Sequence, residues 1–340
     1  MNKTVDVSNR PAWMTGPDEL PHQPQDVPLW SESYMSYVYS PGNQVGIWVH
    51  LGYKPGKPGL WEETIVIGLP ADRYLVARGF SSRPMDDGIS ICGVSWRCDE
   101  PYLQWTKRFR GGAQLVSREE MSAGPLRDGL YMPVDLEYTC HAICSPNDYG
   151  EEHMKVSWAS RHYEQSHEAS GYLSFAGERY EINGSGWRDH SWGPRDLTKF
   201  GSHTWLSAQF PQSGRSIMAV LLLAPGRPHP FSHALLCRAA TQHQASVSGL
   251  PIARDISETE TDFEFSFNAE ENTSVIRATI LQPLRVAYVG TNQIGIGTHR
   301  GPDAHHDWVS SFTRFEWDGE IGYGSSERSV DLAAGGAKHG

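Results

Sequence analysis

The sequence predicts a mainly antiparallel β protein built as two consecutive barrel-like domains, and three observations carry that reading. At 340 residues the chain exceeds the about 250–300 residues at which a single core stops growing. Its 12 Trp, 14 Tyr and 11 Phe are side chains that favour pleated surfaces and ligand pockets. From Trp30 onward, short runs of β-branched, aromatic and aliphatic residues are punctuated by turn signals such as Ser-Pro-Gly-Asn at 40–43 and Pro-Gln-Ser-Gly at 211–214, while helical periodicity beyond two turns is hard to find.

Residues 1–27 are rich in Pro and polar side chains and lack periodicity, so they read as an extended arm. Strands are expected at Tyr34–Tyr39, Val45–Leu51, Glu62–Leu69, Tyr74–Ala77, Leu115–Val116, Val134–Ala142 and Met154–Ser160. Further strands are expected at Gly171–Phe175, Arg179–Ile182, Trp205–Phe210, Ser216–Leu223, Ala234–Arg238, Asp262–Phe267, Val275–Val286 and Ser310–Trp317. The exception is a short helix over Ser117–Ala123. Gly171–Ile182 reads as one hairpin turning at Ala176-Gly177, where Gly supplies the positive φ of a tight turn. The polar stretch Ser145–Glu152 is the expected boundary, which gives domains at 28–150 and 151–331 and a tail at 332–340. Closing each meander into a barrel hides its edges and leaves an interior able to hold one small ligand.

Composition also narrows function. Forty acidic against 29 basic side chains give a formal charge of -11, and no Lys/Arg stripe runs along any segment, which argues against nucleic acid or an anionic membrane as partner. The first thirty residues lack the apolar core of a signal peptide, and no apolar run approaches the about 20 residues of a membrane span, so a cytoplasmic location is expected. The five cysteines are an odd number and fit free thiols. Cys140 and Cys144, even with His141, lack the further ligands of a zinc site, and His305 and His306 point to opposite faces of an extended chain, so no metal is expected. There is no Gly-x-Gly-x-x-Gly entering a helix, no P-loop and no Gly-x-Ser-x-Gly elbow, which disfavours nucleotide cofactors and serine hydrolysis.

The densest group of chemically capable side chains is Gly184–Leu197 (GSGWRDHSWGPRDL). In extended chain Arg188, His190 and Trp192 share one face, and Asp189 and Ser191 the other. A Trp beside a His offers a cation-stabilising face and a proton carrier; the competing structural reading is an ion-pair knot of Arg188, Asp189, Arg195 and Asp196 at a barrel mouth. A second cluster, His162-Tyr163-Glu164-Gln165, sets His162 and Glu164 on one face and Tyr163 and Gln165 on the other.

The run Gly186–Asp196 resembles the CrtC/AttH-like family, which includes carotenoid hydratases and kievitone hydratase, with tocopherol cyclase and fungal Diels–Alderases as more distant structural relatives. The similarity extends to His162–Gln165, to Thr204–Gln209 with Gly214, and to Gly322-Tyr323-Gly324 with Glu327. The resemblance implies two lipocalin-like barrels acting on carbon–carbon double bonds of hydrophobic substrates without redox cofactors. In the hydratases a His-x-Trp pair acts with a later Tyr-x-Asp; the first maps onto His190 and Trp192, whereas the second is not found, since Ser216–Leu223 offers Met and aliphatics. The replacement acid is sought among Asp189, Asp196, Glu164 and Glu327, with Trp187, Arg188, Trp205, Gln209, Tyr163 and Tyr323 expected to line the substrate site. The expected activity is a cofactor-independent hydratase or dehydratase of an isoprenoid or terpenoid-type substrate. The alternatives are an isomerase or cyclase of a terpenoid, steroid or polyketide, and a non-catalytic carrier of an apolar molecule. No cofactor is expected, and a homodimer is left open.

Overall fold

The computed structural model describes the chain outside residues 1–4, 8–9, 55–58, 83–87, 125, 127–128, 149–159, 226–227, 271, 291–292, 300–301 and 333–340. Two units separate, the first holding Met1–Arg118, Arg127–Asp148 and Ala159–Arg195, the second Glu119–Leu126, Tyr149–Trp158 and Asp196–Gly340.

In the first unit the strands are β1 (Trp30–Ser40), β2 (Val45–Lys54), β3 (Leu60–Leu69), β4 (Arg73–Ser81), β5 (Gly88–Ile91), β6 (Val94–Glu100), β7 (Gln104–Ser117), β8 (Tyr131–Ala142), β9 (Arg161–Phe175) and β10 (Glu178–Pro194). Their order is β4-β3-β2-β1-β10-β9-β8-β7-β6-β5, and a β4–β7 pairing closes a ring of eight strands among the described residues. All these ladders are antiparallel, as hairpin connectivity dictates. Side chains alternate between the two sides of the wall, and the inward set includes Val38, Ile47, Val49, Ile65, Leu75, Leu136, Leu173 and Ile182.

The second unit takes the short helix α1 (Arg118–Ser122) at its edge, followed by β11 (Ser202–Phe210), β12 (Arg215–Leu223), β13 (Phe231–Arg238), β14 (Thr241–Ser248), β15 (Phe263–Ala269), β16 (Asn272–Val289), β17 (Gln293–Ile296), β18 (Ala304–Trp317) and β19 (Glu320–Asp331). The order is β15-β14-β13-β12-β11-β19-β18-β16-β17, and a β15–β16 pairing closes a second ring. Leu206, Phe210, Ile217, Phe267, Ile276 and Phe315 fill it. The protein is therefore mainly β, with two consecutive lipocalin-like barrels.

The hairpin forms as the sequence indicates. Phe175 pairs with Glu178, and the intervening Ala176 and Gly177 have φ of 50° and 82°, the two positive values of a type I′ turn. The boundary at 150/151, and with it the placement of the Gly184–Leu197 motif in the second barrel, is corrected. β1 pairs along its length with β10, from Trp30 opposite Pro194 to Tyr39 opposite Ser185. The first ring cannot close without β9 and β10, so the first unit runs to Arg195. Most of the expected Met154–Ser160 strand and the 332–340 tail lie outside the described residues. No helix among the described residues is long and apolar enough to cross a membrane.

The described residues of the arm belong to the first unit. Thr15 caps a 3-10 turn over Gly16–Glu19: Asp18 Oδ2 accepts from Thr15 N at 2.6 Å and Thr15 Oγ1 at 2.7 Å, and Pro17 brings a φ already suited to the turn. The turn delivers Glu19 into the barrel, where it is wholly buried.

Candidate active site

Alternation along β10 splits the motif between the two sides of the barrel wall. Arg188, His190 and Trp192 follow Ile182 in register on the inward side, and Trp187, Asp189 and Ser191 lie on the outward side. Between the flanking strands, Gly186 is required: a Cβ there would stand 2.3 Å from the Tyr37 carbonyl oxygen and 2.4 Å from His167 Nε2.

The inward half grips the arm. Arg188 Nη2 donates to both Glu19 oxygens at 3.0 Å and to Gln165 Oε1 at 2.6 Å. Glu19 also accepts from Tyr163 Oη, from Trp105 Nε1 at 2.7 Å and from the Tyr102 amide at 2.9 Å. Burial works to raise the Glu19 pKa, but the Arg188 charge and these donors hold it below the ordinary carboxylate value. Burial works to lower the Arg188 pKa, and the Glu19 charge more than offsets it. A buried pair so fully hydrogen-bonded is a structural fixture; removing one member costs about 3–5 kcal/mol in comparable settings.

His190 sits beside this pair. Its Nδ1 lies 3.0 Å from the Asp18 carbonyl and its Nε2 2.8 Å from Glu32 Oε1. His22, from the arm, reaches the same Glu32 oxygen through Nδ1 at 2.8 Å and Asp18 Oδ1 through Nε2 at 3.2 Å. The rings are clamped, His190 against Tyr34 at 3.9 Å and His22 against Trp192 at 4.2 Å between centroids. Burial raises the Glu32 pKa, but the two histidines hold it below its ordinary value. Burial pushes His190 down and Glu32 offsets this only in part; partial burial also opposes charge on His22, yet Glu32 and Asp18 raise its pKa.

The outward half is a separate strip. His162 Nε2 and Glu164 Oε1 are 3.0 Å apart, and Trp187 Nε1 donates to Glu164 Oε2 at 3.3 Å. Asp189 stands opposite Glu164 in the β9–β10 ladder and accepts from the Met35 amide at 3.0 Å. His162, Glu164, Trp187 and Asp189 are all buried, at 3–8% exposure. The face shared by His162 and Glu164 is as the sequence indicates, while Tyr163 and Gln165 turn inward to Glu19 and Arg188.

Within the second unit, Trp205 lies opposite Glu327 and Gln209 opposite Tyr323, so these four residues occupy one face. There Glu327 accepts from Ser310 Oγ at 3.0 Å and lies 3.5 Å from His203 Nε2. Asp196 instead caps the 3-10 turn Leu197–Lys199, accepting from the Thr198 amide at 3.2 Å and lying 3.4 Å from Lys199 Nζ. Slight burial works to raise its pKa, but the Thr198 bonds lower it, and a carboxylate held ionised is a poor acid at neutral pH. Of the four residues in the competing ion-pair reading, Arg188 takes Glu19, Asp189 accepts from the Met35 amide, Arg195 Nη1 donates to Ser33 Oγ at 2.6 Å and Asp196 caps its own turn.

Sequence reasoning missed Glu19, His22, Glu32 and His203. The Thr15-x-x-Asp18 capping pattern signals an ordered turn in the arm, and His203 is in alternation with Trp205; Glu32 enters through a pairing of distant strands that no local pattern shows.

A family model described as "Domain of unknown function (DUF7064)" matches residues 15–330. No curated protein matches the chain. Among solved structures, kievitone hydratase from Nectria haematococca is similar with a TM-score of 0.56 at 12% identity, covering 97% of this chain and 97% of that one. CghA, solved with Sch210972, gives 0.54 at 9% identity over 92% of this chain and 94% of that one. A protein assigned as AttH from Nitrosomonas europaea gives 0.52 at 14% identity over 92% and 99% respectively. At these identities the similarity establishes a shared fold.

Proposed function

The chain belongs to the DUF7064 family and has the CrtC/AttH-like two-barrel fold; from that premise we propose that it is a hydratase or dehydratase that works by acid–base chemistry on an apolar, isoprenoid-type alkene or tertiary alcohol. The observation that carries the proposal is the buried His162–Glu164 pair with Trp187 on one Glu164 oxygen. A proton shared between imidazole and carboxyl is available to an alkene carbon or a departing hydroxyl, and the nearby indole stabilises the cation that forms. Asp189, on the same face, receives the proton or activates the water at the other end of the step. Burial strengthens these electrostatic effects and limits where water meets the cation.

The name of kievitone hydratase supports the reaction class at the level of fold. The inward half of the motif is less suited to substrate chemistry, because Glu19, His22 and the Asp18 carbonyl already occupy its polar groups.

The test incubates wild type, Glu164→Gln, Asp189→Asn and His190→Ala with a panel of terpenoid alkenes and tertiary alcohols and follows product mass. Gain or loss of one water by wild type, lowered about 10²–10⁴-fold in Glu164→Gln, is the expected result. Conversion at unchanged mass replaces the lyase by an isomerase or cyclase, and ligand retention without turnover by a carrier. Loss of turnover in His190→Ala with Glu164→Gln unaffected moves the chemistry to the inward side.

A further inference from the structure

His22, Glu32 and His190 each offer one potential ligand atom, and these atoms all lie within 4.8 Å of one another. A neutral imidazole has one N–H donor and one lone pair. Here, however, both nitrogens of each ring face oxygen acceptors: His190 faces the Asp18 carbonyl and Glu32 Oε1, and His22 faces Asp18 Oδ1 and Glu32 Oε1. The cluster therefore calls for two positive charges, which two extra protons or one divalent cation would supply. Two imidazolium rings with centroids only 5.6 Å apart repel each other, the more strongly because the His190 and Glu32 side chains have no exposure. One cation on the inward nitrogens and the carboxylate removes that repulsion and lets each outer N–H donate.

We infer that His22, Glu32 and His190 form a binding site for one divalent transition-metal ion of the zinc class, with Asp18 as the outer residue that orients both histidines.

The donor set of two imidazoles and a carboxylate is that of three-ligand zinc sites, which keep a position for water or another ligand. The surroundings match what such sites require: each ligating ring donates its other N–H to a carbonyl or carboxylate, and Asp18 supplies one of each. The Glu32 carboxylate is itself oriented by the His22 amide, which lies 3.1 Å from both of its oxygens. Tyr34 and Trp192 restrict the two rings. His22, with a side chain 24% exposed, provides the route by which an ion reaches the two buried ligands. The site uses residues of the arm and the inward wall, so it stands independently of the acid–base strip on the outward wall.

The full-length protein, stripped with a chelator and then desalted, is titrated with Zn²⁺ and its metal content measured; Co²⁺ substitution reports the geometry through ligand-field absorption. Wild type is expected to retain one equivalent and to show four-coordinate Co²⁺ bands. His22→Ala, confirmed as folded by circular dichroism, should lose retention. Asp18→Asn, which keeps side-chain shape, should weaken binding about 10–100-fold and serves as the second probe should His22→Ala fail to fold. The inference is overturned if metal-free wild type takes up no ion, or if both variants bind as tightly as wild type, which would place the ion on others of the 15 histidines. Turnover is not a readout here, so failure of the hydratase reading leaves this test intact.

Discussion

Lys107 shows how a single residue's charge is handled inside the first barrel. It is buried, donates to Ser36 Oγ at 2.7 Å and lies over the Trp96 ring at 4.1 Å, and burial pushes its pKa down from 10.5 to about 8. The sign follows from proton counts: above about 8 the folded chain has released a proton that the unfolded chain holds until about 10.5, so stability rises with pH across that window. Below it, the buried ammonium costs about 3 kcal/mol, at about 1.4 kcal/mol per pKa unit. Lys107→Met should therefore be the more stable protein at pH 7, and the difference between the two denaturant-unfolding profiles should shrink from pH 8 to 10.5. A difference that stays constant over that range would rule out a shifted Lys107. The same scale governs how the motif divides its side chains. The residue types in Arg188–Trp192 are legible as capable of chemistry, but Arg188 meets Glu19, His190 the Asp18 carbonyl and Trp192 the His22 ring, partners in an arm that lacks any periodic pattern.

Among elements, the β9–β10 hairpin is the one most fully specified by local sequence, since its determinants are the adjacent Ala176 and Gly177. Ala176 at φ 50° carries a Cβ in the left-handed region, which costs about 1–2 kcal/mol relative to a right-handed conformation. Asn tolerates that region and is the preferred first residue of a type I′ turn. Ala176→Asn should raise the denaturant midpoint by the equivalent of about 0.5–1 kcal/mol with an unchanged m-value; a lower midpoint would mean that the turn is of another type. Many strands were legible as apolar, β-branched and aromatic runs bounded by turn residues, whereas Gly88–Ile91, Val94–Glu100, Thr241–Ser248 and Gln293–Ile296 were not. The β1–β10 pairing was not: the Met35 amide reaches Asp189 across 154 positions, and nothing in either strand names its partner.

For the whole molecule, ring closure decides which residues belong together. The polar stretch at 145–152 has the composition of a linker, yet the first ring still lacks two of its eight strands at that point, which is why composition misplaced the boundary and the motif. The second unit likewise includes residues from before its main segment: the Ser122 carbonyl accepts from the Thr298 amide at 3.2 Å and Thr298 Oγ1 at 3.1 Å. A fragment of residues 196–340 should therefore melt below the same fragment with residues 117–126 fused ahead of it. The gap expected from two hydrogen bonds at about 1 kcal/mol each is roughly 5 °C, and equal melting temperatures would show that α1 contributes nothing. The Glu19–Arg188 bond has a further consequence, in time. Its partners are 169 residues apart, so at about 5–20 residues per second a ribosome takes roughly 10–30 s to deliver the second after the first. Throughout that interval β1 has an unpaired edge and Glu19 no counterion. The nascent chain therefore depends on whatever shields that edge until β10 emerges.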